Sequence, residues 1–488
     1  MRKLLAVCAI IACLAWSGCG EPGPWQIEAG ASTVVFSDRT PNDDFLELNA
    51  LVLRAGEDCI AFCTVDAMGV GSRLIDEVDE RLSQVGSAIG RDNLMIAASH
   101  THSGGFHGIQ EGLVHEMVLG TFSQEKLDQA ADLVAQVVMD AEQALQPARF
   151  YLGEGSAPEF NSNRAFFDGF ADPAMVVLYI ESLDSEPLAW LINYAAHPTI
   201  LYADNAPRPG RDFPGGLAST LRDESGLELP VLFVNAAAGN VQPEPPDAPS
   251  YTQQAFQMGQ GLAEIAIGII DGQEAQSMAR LRHETRVRPL PMAISGSLIP
   301  TQTAVWEFGL GDSVFLSMPG EACSQVGRAL REFARKNGAG TVLLCGYVND
   351  YLGYHPDESE YFLASYESMM CMYGPLMTCW YIESHFGDDR LPWDCSGILA
   401  ANRKVFERAI GEGQADRQII EAAWAEEFAK LTDESEVIGM HIRAFAARMD
   451  MKGLSDEERA LLMGIAEGAD IAFDIVMLLQ YQGNLDYL

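Results

Sequence analysis

The chain has 488 residues, of which 48% are hydrophobic and 20% are charged, and this composition predicts a globular protein with a large core and two or three domains. The 69 acidic residues outnumber the 31 basic residues and give a formal charge of -38. Such a balance argues against nucleic acid or an anionic membrane surface as the main partner. A strongly acidic surface accounts for solubility without any further role.

The N-terminus has the pattern of an export signal. Met1-Arg2-Lys3 is basic, residues 4–16 are apolar, and Ser17-Gly18-Cys19-Gly20 follows. The pattern resembles a bacterial lipoprotein signal, in which Cys19 is lipidated after cleavage and attaches the protein to a membrane. Trp16 stands where such signals carry an aliphatic residue, so cleavage and secretion without lipidation is the alternative. We expect residues 1–24 to be a signal peptide and the mature protein to be periplasmic, at the cell surface or secreted.

Strands and helices alternate after the leader, which predicts an α/β domain with a mixed sheet over residues 25–380. Apolar runs predict strands at residues 49–54, 59–66, 94–98, 148–152, 175–180, 188–195, 231–234 and 341–347, with a strand-rich section at 281–316. Helical periodicity predicts helices at residues 72–85, 122–145, 252–270 and 322–336, and Asp212 is the predicted cap of a further helix.

The pattern becomes helical near the C-terminus and predicts a smaller all-α region over residues 381–488. Its predicted helices span residues 398–410, 415–431, 437–449 and 456–479. Among the cysteines, Cys371, Cys379 and Cys395 are close enough in sequence to supply one disulfide in an exported protein.

Two histidine motifs follow predicted strands. His100 and His102 come directly after the run that ends at Ala98, and His197 follows the strand that ends near Ala195. Glu321 precedes a predicted helix. Neutral nitrogen ligands and one carboxylate are the donors of a catalytic zinc site, whose natural chemistry is hydrolysis. Each residue also has a simpler interpretation, as a hydrogen-bonded loop histidine or a helix-capping carboxylate.

Four motifs in this order resemble the neutral/alkaline ceramidase family, zinc amidases that split ceramide into sphingosine and a fatty acid. They are Ser99-His100-Thr101-His102-Ser103-Gly104, Asn193-Tyr194-Ala195-Ala196-His197-Pro198-Thr199, Pro319-Gly320-Glu321 and the segment 349–375. The resemblance covers roughly residues 25–375 and implies the family's α/β catalytic domain, Zn²⁺ as cofactor and a lipid or N-acyl substrate. The family's C-terminal β-sandwich is not recognisable in the helical region.

The resemblance also implies residue roles. It makes His100, His197, Glu321 and Tyr354 the zinc ligands. It turns His102 toward the substrate, places Arg164 near the reacting group and makes Tyr366 a donor to the developing oxyanion.

One loop departs from the family pattern. Active ceramidases carry Gly-Asp-Val-Ser-Pro there, with the serine as nucleophile, whereas this chain has Gly239-Asn240-Val241-Gln242-Pro243. An amide cannot serve as nucleophile or carboxylate base. Two interpretations follow. In the first, the protein hydrolyses an amide or ester with zinc-bound water instead of serine, while Asn240 and Gln242 hold the substrate. In the second, it is an inactive ceramidase-like protein that binds metal and a lipid ligand.

Overall fold

The computed structural model describes residues 24–37, 45–203, 209–291, 299–363, 365–387, 401–428, 443–444, 447 and 453–481. Residues 1–23 with Cys19, Cys395 and most of the predicted helix 437–449 lie outside the described residues. The predictions that fall on them therefore stay predictions.

Seventeen strands are found in the described ranges. They are β1 (Trp25–Val35), β2 (Glu47–Ala55), β3 (Asp58–Val65), β4 (Leu94–Ala98), β5 (Gln146–Ser156), β6 (Asn161–Asn163), β7 (Ala174–Ser182), β8 (Pro187–Tyr194), β9 (Val231–Asn235), β10 (Val241–Pro243), β11 (Met278–Ala279), β12 (Leu281–Pro289), β13 (Gln302–Leu310), β14 (Ser313–Met318), β15 (Glu321–Ala322), β16 (Val342–Gly346) and β17 (Tyr354–His355).

The α-helices lie mostly between these strands and after the last of them. They are α1 (Ser72–Val85), α2 (Leu113–Leu119), α3 (Gln124–Gln143), α4 (Phe213–Ser225), α5 (Tyr251–Asp271), α6 (Ser324–Lys336), α7 (Glu358–Leu363), α8 (Tyr366–Met369), α9 (Met377–Phe386), α10 (Arg403–Phe428), α11 (Asp456–Ala469) and α12 (Phe473–Tyr481).

Two sheets form the framework of the first domain. The larger has the order β4-β3-β2-β1-β5-β7-β8-β9, with β11 paired to β1, and the smaller has the order β12-β13-β14-β16. Most neighbours are antiparallel, but β3–β4, β8–β9 and β14–β16 are parallel. The sheets are therefore mixed, and the predicted fold class is confirmed.

The two sheets pack face to face, with helices on their outer faces. Side chains alternate along each strand, as the period of two requires. In β2, Leu51 and Leu53 belong to the core between the sheets, whereas Ala50 and Val52 belong to the core shared with α1 and α3. Across the sheets, the rings of Phe62 and Phe315 lie 4.8 Å apart.

The helical region packs on the first domain beside α7. Phe473 contacts the rings of Tyr361 and Phe362, and the Tyr361 hydroxyl donates to the Asp474 carboxylate. Helices α10 and α11 approach closely because glycine lies at their contact: a Cβ atom at Gly413 would come within 2.3 Å of the Ile465 carbonyl oxygen. No described helix is long and apolar enough to cross a membrane.

Several predicted boundaries agree with the structure and some are wrong. Helix α1 and strand β4 have the predicted limits, and Asp212 caps α4. The helices predicted at 398–410 and 415–431 are described as one continuous helix, α10 (Arg403–Phe428), in which Gly413 packs against α11. The helix predicted at 456–479 ends at Ala469, since Asp470 adopts a left-handed backbone with φ 55°. Cys371 and Cys379 are both buried, and the predicted disulfide stays a prediction because Cys395 lies outside the described residues.

Candidate metal centre

The predicted site residues lie where strands of both sheets end. The parallel pairs β3–β4, β8–β9 and β14–β16 each present their carboxyl ends on one edge. Backbone hydrogen bonds join the two sheets there: the Ala98 amide donates to the Tyr347 carbonyl at 3.1 Å, and the Asn349 amide donates to the Ile96 carbonyl at 2.9 Å. This junction brings residues from distant parts of the chain into one cluster.

His100 follows β4 in a left-handed backbone conformation, with φ 67°, which is strained for a residue other than glycine. Its side chain is fully buried and stacks on the ring of Tyr347 at 4.0 Å. Its Nδ1 lies 2.6 Å from the Met68 carbonyl oxygen. Because a carbonyl only accepts, we assign the proton to Nδ1, and the lone pair of Nε2 is directed into the site.

His197 is held in the same way. It is fully buried, and its Nδ1 lies 3.0 Å from the Val241 carbonyl oxygen. The proton is therefore on Nδ1 and the lone pair on Nε2. Burial, and then the positive charge of Arg164, lower the pKa of His197 to about 4, so the imidazole is neutral near pH 7.

Glu321 lies opposite these two nitrogens. Its Oε2 is 3.3 Å from His100 Nε2 and 3.2 Å from His197 Nε2, and its Oε1 accepts a hydrogen bond from the Tyr351 hydroxyl. Burial raises the pKa of Glu321, and positive charge at the imidazoles opposite lowers it well below the ordinary value; with neutral imidazoles, a cation between the three groups would supply that charge. Residue 321 forms the two-residue strand β15 with Ala322, whereas α6 begins only at Ser324, so Glu321 is not a helix cap.

These groups fit a small divalent cation. Two imidazole lone pairs and one carboxylate oxygen converge without a hydrogen between them, and such acceptors repel unless a cation lies among them. Ligands placed tetrahedrally at about 2.1 Å from a metal ion are about 3.3 to 3.4 Å from one another. The observed separations of 3.2 and 3.3 Å match this spacing.

His102 belongs to the same cluster. Its Nε2 is 3.3 Å from His100 Nε2, and the donor nitrogens of His100, His102 and His197 all lie within 4.8 Å of one another. Burial, and then His100 and His197, lower the pKa of His102 to about 2, so it is neutral. Its partly exposed ring is near Tyr202, with the ring centroids 5.7 Å apart. His102 is thus the most exposed of the three histidines, and its predicted substrate-facing role stays a prediction.

Tyr354 is next to Glu321 because their strands pair. In the parallel pair β15–β17 the two residues are register partners, so their side chains point to the same side. The Tyr354 hydroxyl accepts a hydrogen bond from Arg164 Nη2 at 3.1 Å. Burial, and then the charge of Glu321, raise the pKa of Tyr354 well above its ordinary value. The pairing gives a structural reason for two predicted ligands to occur together.

Arg164 is held in place by several acceptors. Its Nε donates to Glu367 at 2.8 Å, and its Nη2 donates to the Gly239 carbonyl at 2.8 Å as well as to Tyr354. Burial opposes its charge, but Tyr354 and Glu367 outweigh burial and raise the pKa of Arg164. The Tyr366 ring lies 5.5 Å from that of Tyr354 and is 54% exposed, at the outer side of the cluster.

Asn240 and Gln242 face different surroundings. Asn240 is fully buried; its Oδ1 accepts from the Ser324 amide at 2.9 Å, and its Nδ2 donates to Glu360 at 2.8 Å. Gln242 is exposed, and its Nε2 donates to Ser162 at 3.1 Å and Glu244 at 2.9 Å. The side-chain amide of Asn240 thus forms hydrogen bonds within the protein. Gln242 is the residue of the pair that a ligand can reach, and substrate binding by both stays a prediction.

Sequence reasoning missed three residues of this region. Tyr351, Glu360 and Glu367 are buried and hydrogen-bond to Glu321, Asn240 and Arg164, respectively. The segment 349–375 contains several tyrosines, and nothing in its pattern distinguishes Tyr351 from the others. Nothing in the local pattern distinguishes the two glutamates from solvent-exposed ones.

A buried group of imidazoles, a carboxylate and a phenol at the strand ends of an α/β fold is characteristic of a metal-dependent hydrolase. Part of the chain resembles one family of such enzymes. Residues 49–210 match the family model of the N-terminal domain of neutral/alkaline non-lysosomal ceramidase.

Two curated proteins resemble part of this sequence, and two solved structures resemble its fold. Neutral ceramidases A and B of Dictyostelium discoideum are 27% and 28% identical over 127 and 126 residues, which is 23% of this chain in both cases. The fold resembles a ceramidase complexed with C2 and the neutral ceramidase of Pseudomonas aeruginosa. Both have a TM-score of 0.64, identities of 17% and 18%, and 74% of this chain covered, against 74% and 73% of theirs.

These findings confirm the resemblance and the fold. The matched segments span only 18% and 17% of the length of the two Dictyostelium proteins, so the activity of those proteins does not transfer as a finding. The fold resembles that of the neutral ceramidases, and residues 49–210 resemble the N-terminal domain of that family. Hydrolase activity, metal, substrate and location are proposals for this chain.

Proposed function

We propose that this protein is an exported, zinc-dependent hydrolase that cleaves the amide bond, or an ester bond, of a lipid or other N-acyl substrate. The observation that carries the proposal is the convergence of His100 Nε2, His197 Nε2 and Glu321 Oε2, with Tyr354 beside Glu321 on the paired strands. The export pattern at residues 1–24, with Cys19 as lipid attachment site, supports a periplasmic or cell-surface location.

The proposed ligands are His100, His197, Glu321 and Tyr354. A zinc ion held there supplies a Lewis acid and lowers the pKa of bound water toward neutrality. The two histidines are suited to this role because backbone carbonyls fix their tautomers and orientations.

The remaining residues of the cluster bind and orient the reacting group. Arg164 is a fixed cation beside Tyr354, and Tyr366 offers a hydroxyl at the outer side, so together they can donate to a carbonyl oxygen as charge develops on it. His102 is neutral and is the most exposed of the three histidines, so in this proposal it contacts the substrate. The exposed amide of Gln242 cannot attack a carbonyl, and in this proposal it holds a polar part of the substrate.

The test combines metal analysis with a substrate panel. The full chain is purified, its zinc content is measured, and chelator-sensitive release of acid is followed with N-acyl and O-acyl lipids. His197→Ala removes one ligand, and His107→Ala is the matched control because His107 is exposed in the loop after His100 and His102. We expect about one zinc per chain, lost in His197→Ala and kept in His107→Ala, and hydrolysis that follows the zinc content.

Two results contradict the proposal. A chain without stoichiometric zinc, or full zinc occupancy in His197→Ala, refutes the metal site. Stoichiometric zinc with no acid released from any lipid identifies the alternative, a protein that binds metal and a lipid ligand without cleaving it.

A further inference from the structure

The two oxygens of Glu321 have separate partners. Oε2 faces the nitrogens of His100 and His197, at 3.3 and 3.2 Å, whereas Oε1 accepts a hydrogen bond from the Tyr351 hydroxyl. A carboxylate can only accept, so Tyr351 is the donor. Both side chains are buried, with 2% and 1% exposure, and water does not compete for this bond.

The ring of Tyr351 is itself fixed. Its backbone amide donates to Asp350 Oδ1 at 2.9 Å, and Thr303 donates to the other Asp350 oxygen at 2.8 Å. The ring lies against Gly69, where an added Cβ atom would be 3.0 Å from it. Gly69 leaves just enough room for the ring, and the hydrogen bonds of Asp350 fix the backbone of Tyr351. The hydroxyl is therefore held in one position.

We propose that Tyr351 is a positioning residue that makes Glu321 a one-oxygen ligand of the metal. The inference rests on the proposed function, because it requires the metal site. Ligating carboxylates are commonly oriented by hydrogen bonds from residues that do not touch the metal. Here the bond occupies Oε1, the oxygen that would otherwise bind as a second donor from the same side chain.

The hydrogen bond from Tyr351 affects the coordination position that the protein ligands leave free on the metal. A catalytic metal site needs a position for water or substrate besides its protein ligands. A second oxygen from Glu321 would compete for that position. Tyr351 thus keeps the site open without contacting the substrate.

The chain offers a matched pair of variants. Tyr351→Phe removes the hydroxyl that donates to Glu321. Tyr347→Phe removes a hydroxyl that is equally buried and makes no hydrogen bond to any described residue, while keeping the ring stacked on His100. The number of oxygen ligands is measured by X-ray absorption of the zinc-loaded proteins, and zinc affinity by competition with a chelator.

We expect one carboxylate oxygen on zinc in the unsubstituted chain and in Tyr347→Phe, and two in Tyr351→Phe. Zinc affinity should fall roughly 10-fold to 100-fold in Tyr351→Phe, because the freed carboxylate is no longer held in orientation. An unchanged oxygen count and affinity in Tyr351→Phe, or equal changes in both variants, overturns the role of Tyr351. Absence of zinc from the unsubstituted chain instead overturns the proposed function, and this inference with it.

Thermal unfolding of the metal-free proteins shows whether each variant folds. Gly69→Ala provides the second variant if Tyr351→Phe does not fold, because the added Cβ would meet the Tyr351 ring at 3.0 Å and Leu119 at 3.2 Å while the hydroxyl is kept. We expect a smaller loss of zinc affinity than in Tyr351→Phe, and an affinity equal to that of the unsubstituted chain contradicts the proposal.

Discussion

Asn240 and Glu360 form a buried amide–carboxyl pair in which Asn240 Nδ2 donates to Glu360 Oε2 at 2.8 Å. Neither residue has exposed surface. Ser365 donates to the other oxygen of Glu360 at 3.2 Å, whereas Arg164, the cation of this region, pairs with Glu367. Burial, and then the charges of Glu367 and Asp357, raise the pKa of Glu360 to about 8, so Glu360 is largely protonated near pH 7.

The pair predicts that the Glu360→Gln variant changes the pH dependence of stability. Between the ordinary value of 4.5 and about 8, the folded protein binds the Glu360 proton and the unfolded chain releases it. The contribution of Glu360 to the free energy of unfolding therefore falls as the pH rises through this window, by up to about 5 kcal/mol, and is constant above it. Denaturant unfolding between pH 5 and 9 should show this decline in the unsubstituted chain.

In the Glu360→Gln variant, the free energy of unfolding should not show the part of the decline that comes from Glu360. Glu332→Gln, which changes an exposed carboxyl on α6, is the control and should follow the unsubstituted chain. Parallel curves for Glu360→Gln and the unsubstituted chain would show that Glu360 is ionised in the folded protein.

The same pair predicts the effect of Asn240→Asp. Above about pH 8, where Glu360 loses its proton, this change removes the amide donor and opposes two carboxylates in a buried position, which should cost about 2 to 4 kcal/mol of unfolding free energy. The second change Glu360→Gln supplies an amide donor to the new carboxylate and should restore most of the loss. A double-mutant cycle measures the coupling, and additive effects would contradict it. To restore the Asp-x-Ser loop of active ceramidases, residue 360 must therefore be changed together with residues 240 and 242.

The sequence predicts the positions of the proposed metal ligands better than the residues that form hydrogen bonds around them. His100, His197 and Glu321 each follow an apolar strand, so their position at the sheet edge could be predicted. The support of Glu321 by Tyr351, 30 residues away, and the bond between Asn240 and Glu360, 120 residues apart, depend on how the two sheets join. The periodicity of a single segment does not predict where the two sheets join. The break predicted between residues 410 and 415 is wrong for a related reason: Gly413 of α10 lies against Ile465 of α11.

Arg164→Lys should reduce turnover and leave the metal in place. The guanidinium reaches Glu367, the Gly239 carbonyl and Tyr354 at once, and a single ammonium nitrogen cannot keep this set of contacts. We expect kcat to fall roughly 100-fold, as for the loss of a fixed donor to a developing oxyanion, with zinc content unchanged. Arg328→Lys is the control, because Arg328 lies outside the cluster over the Phe170 ring. Loss of zinc in Arg164→Lys would assign Arg164 to holding the ligands instead.

Cys19→Ser should abolish lipid attachment if the leader is of the lipoprotein type. The sequence Ser17-Gly18-Cys19 offers one thiol at the expected cleavage point, and serine cannot form the thioether. Cells fed a labelled fatty acid should incorporate label into the unsubstituted protein and not into Cys19→Ser, and the variant should leave the membrane fraction. Cys8→Ser, within the leader, is the control. Equal labelling of all three proteins would exclude attachment at Cys19, and absence of label from all of them would favour cleavage and secretion.

Gln242→Ala should weaken substrate binding more than it slows the chemical step. The side chain of Gln242 is exposed, and its Nε2 donates to Ser162 and Glu244 instead of to the histidine cluster. We expect KM to rise roughly fivefold with kcat changed by less than about twofold, the pattern of a residue that binds ground state and transition state alike.

Gln242→Ser should not raise kcat either, because Asn240 is an amide and supplies no base to a serine at 242. A rise in kcat for Gln242→Ser would show that the cluster can activate a serine without a neighbouring carboxylate. A fall in kcat for Gln242→Ala comparable to that of Arg164→Lys would place Gln242 in the reaction itself.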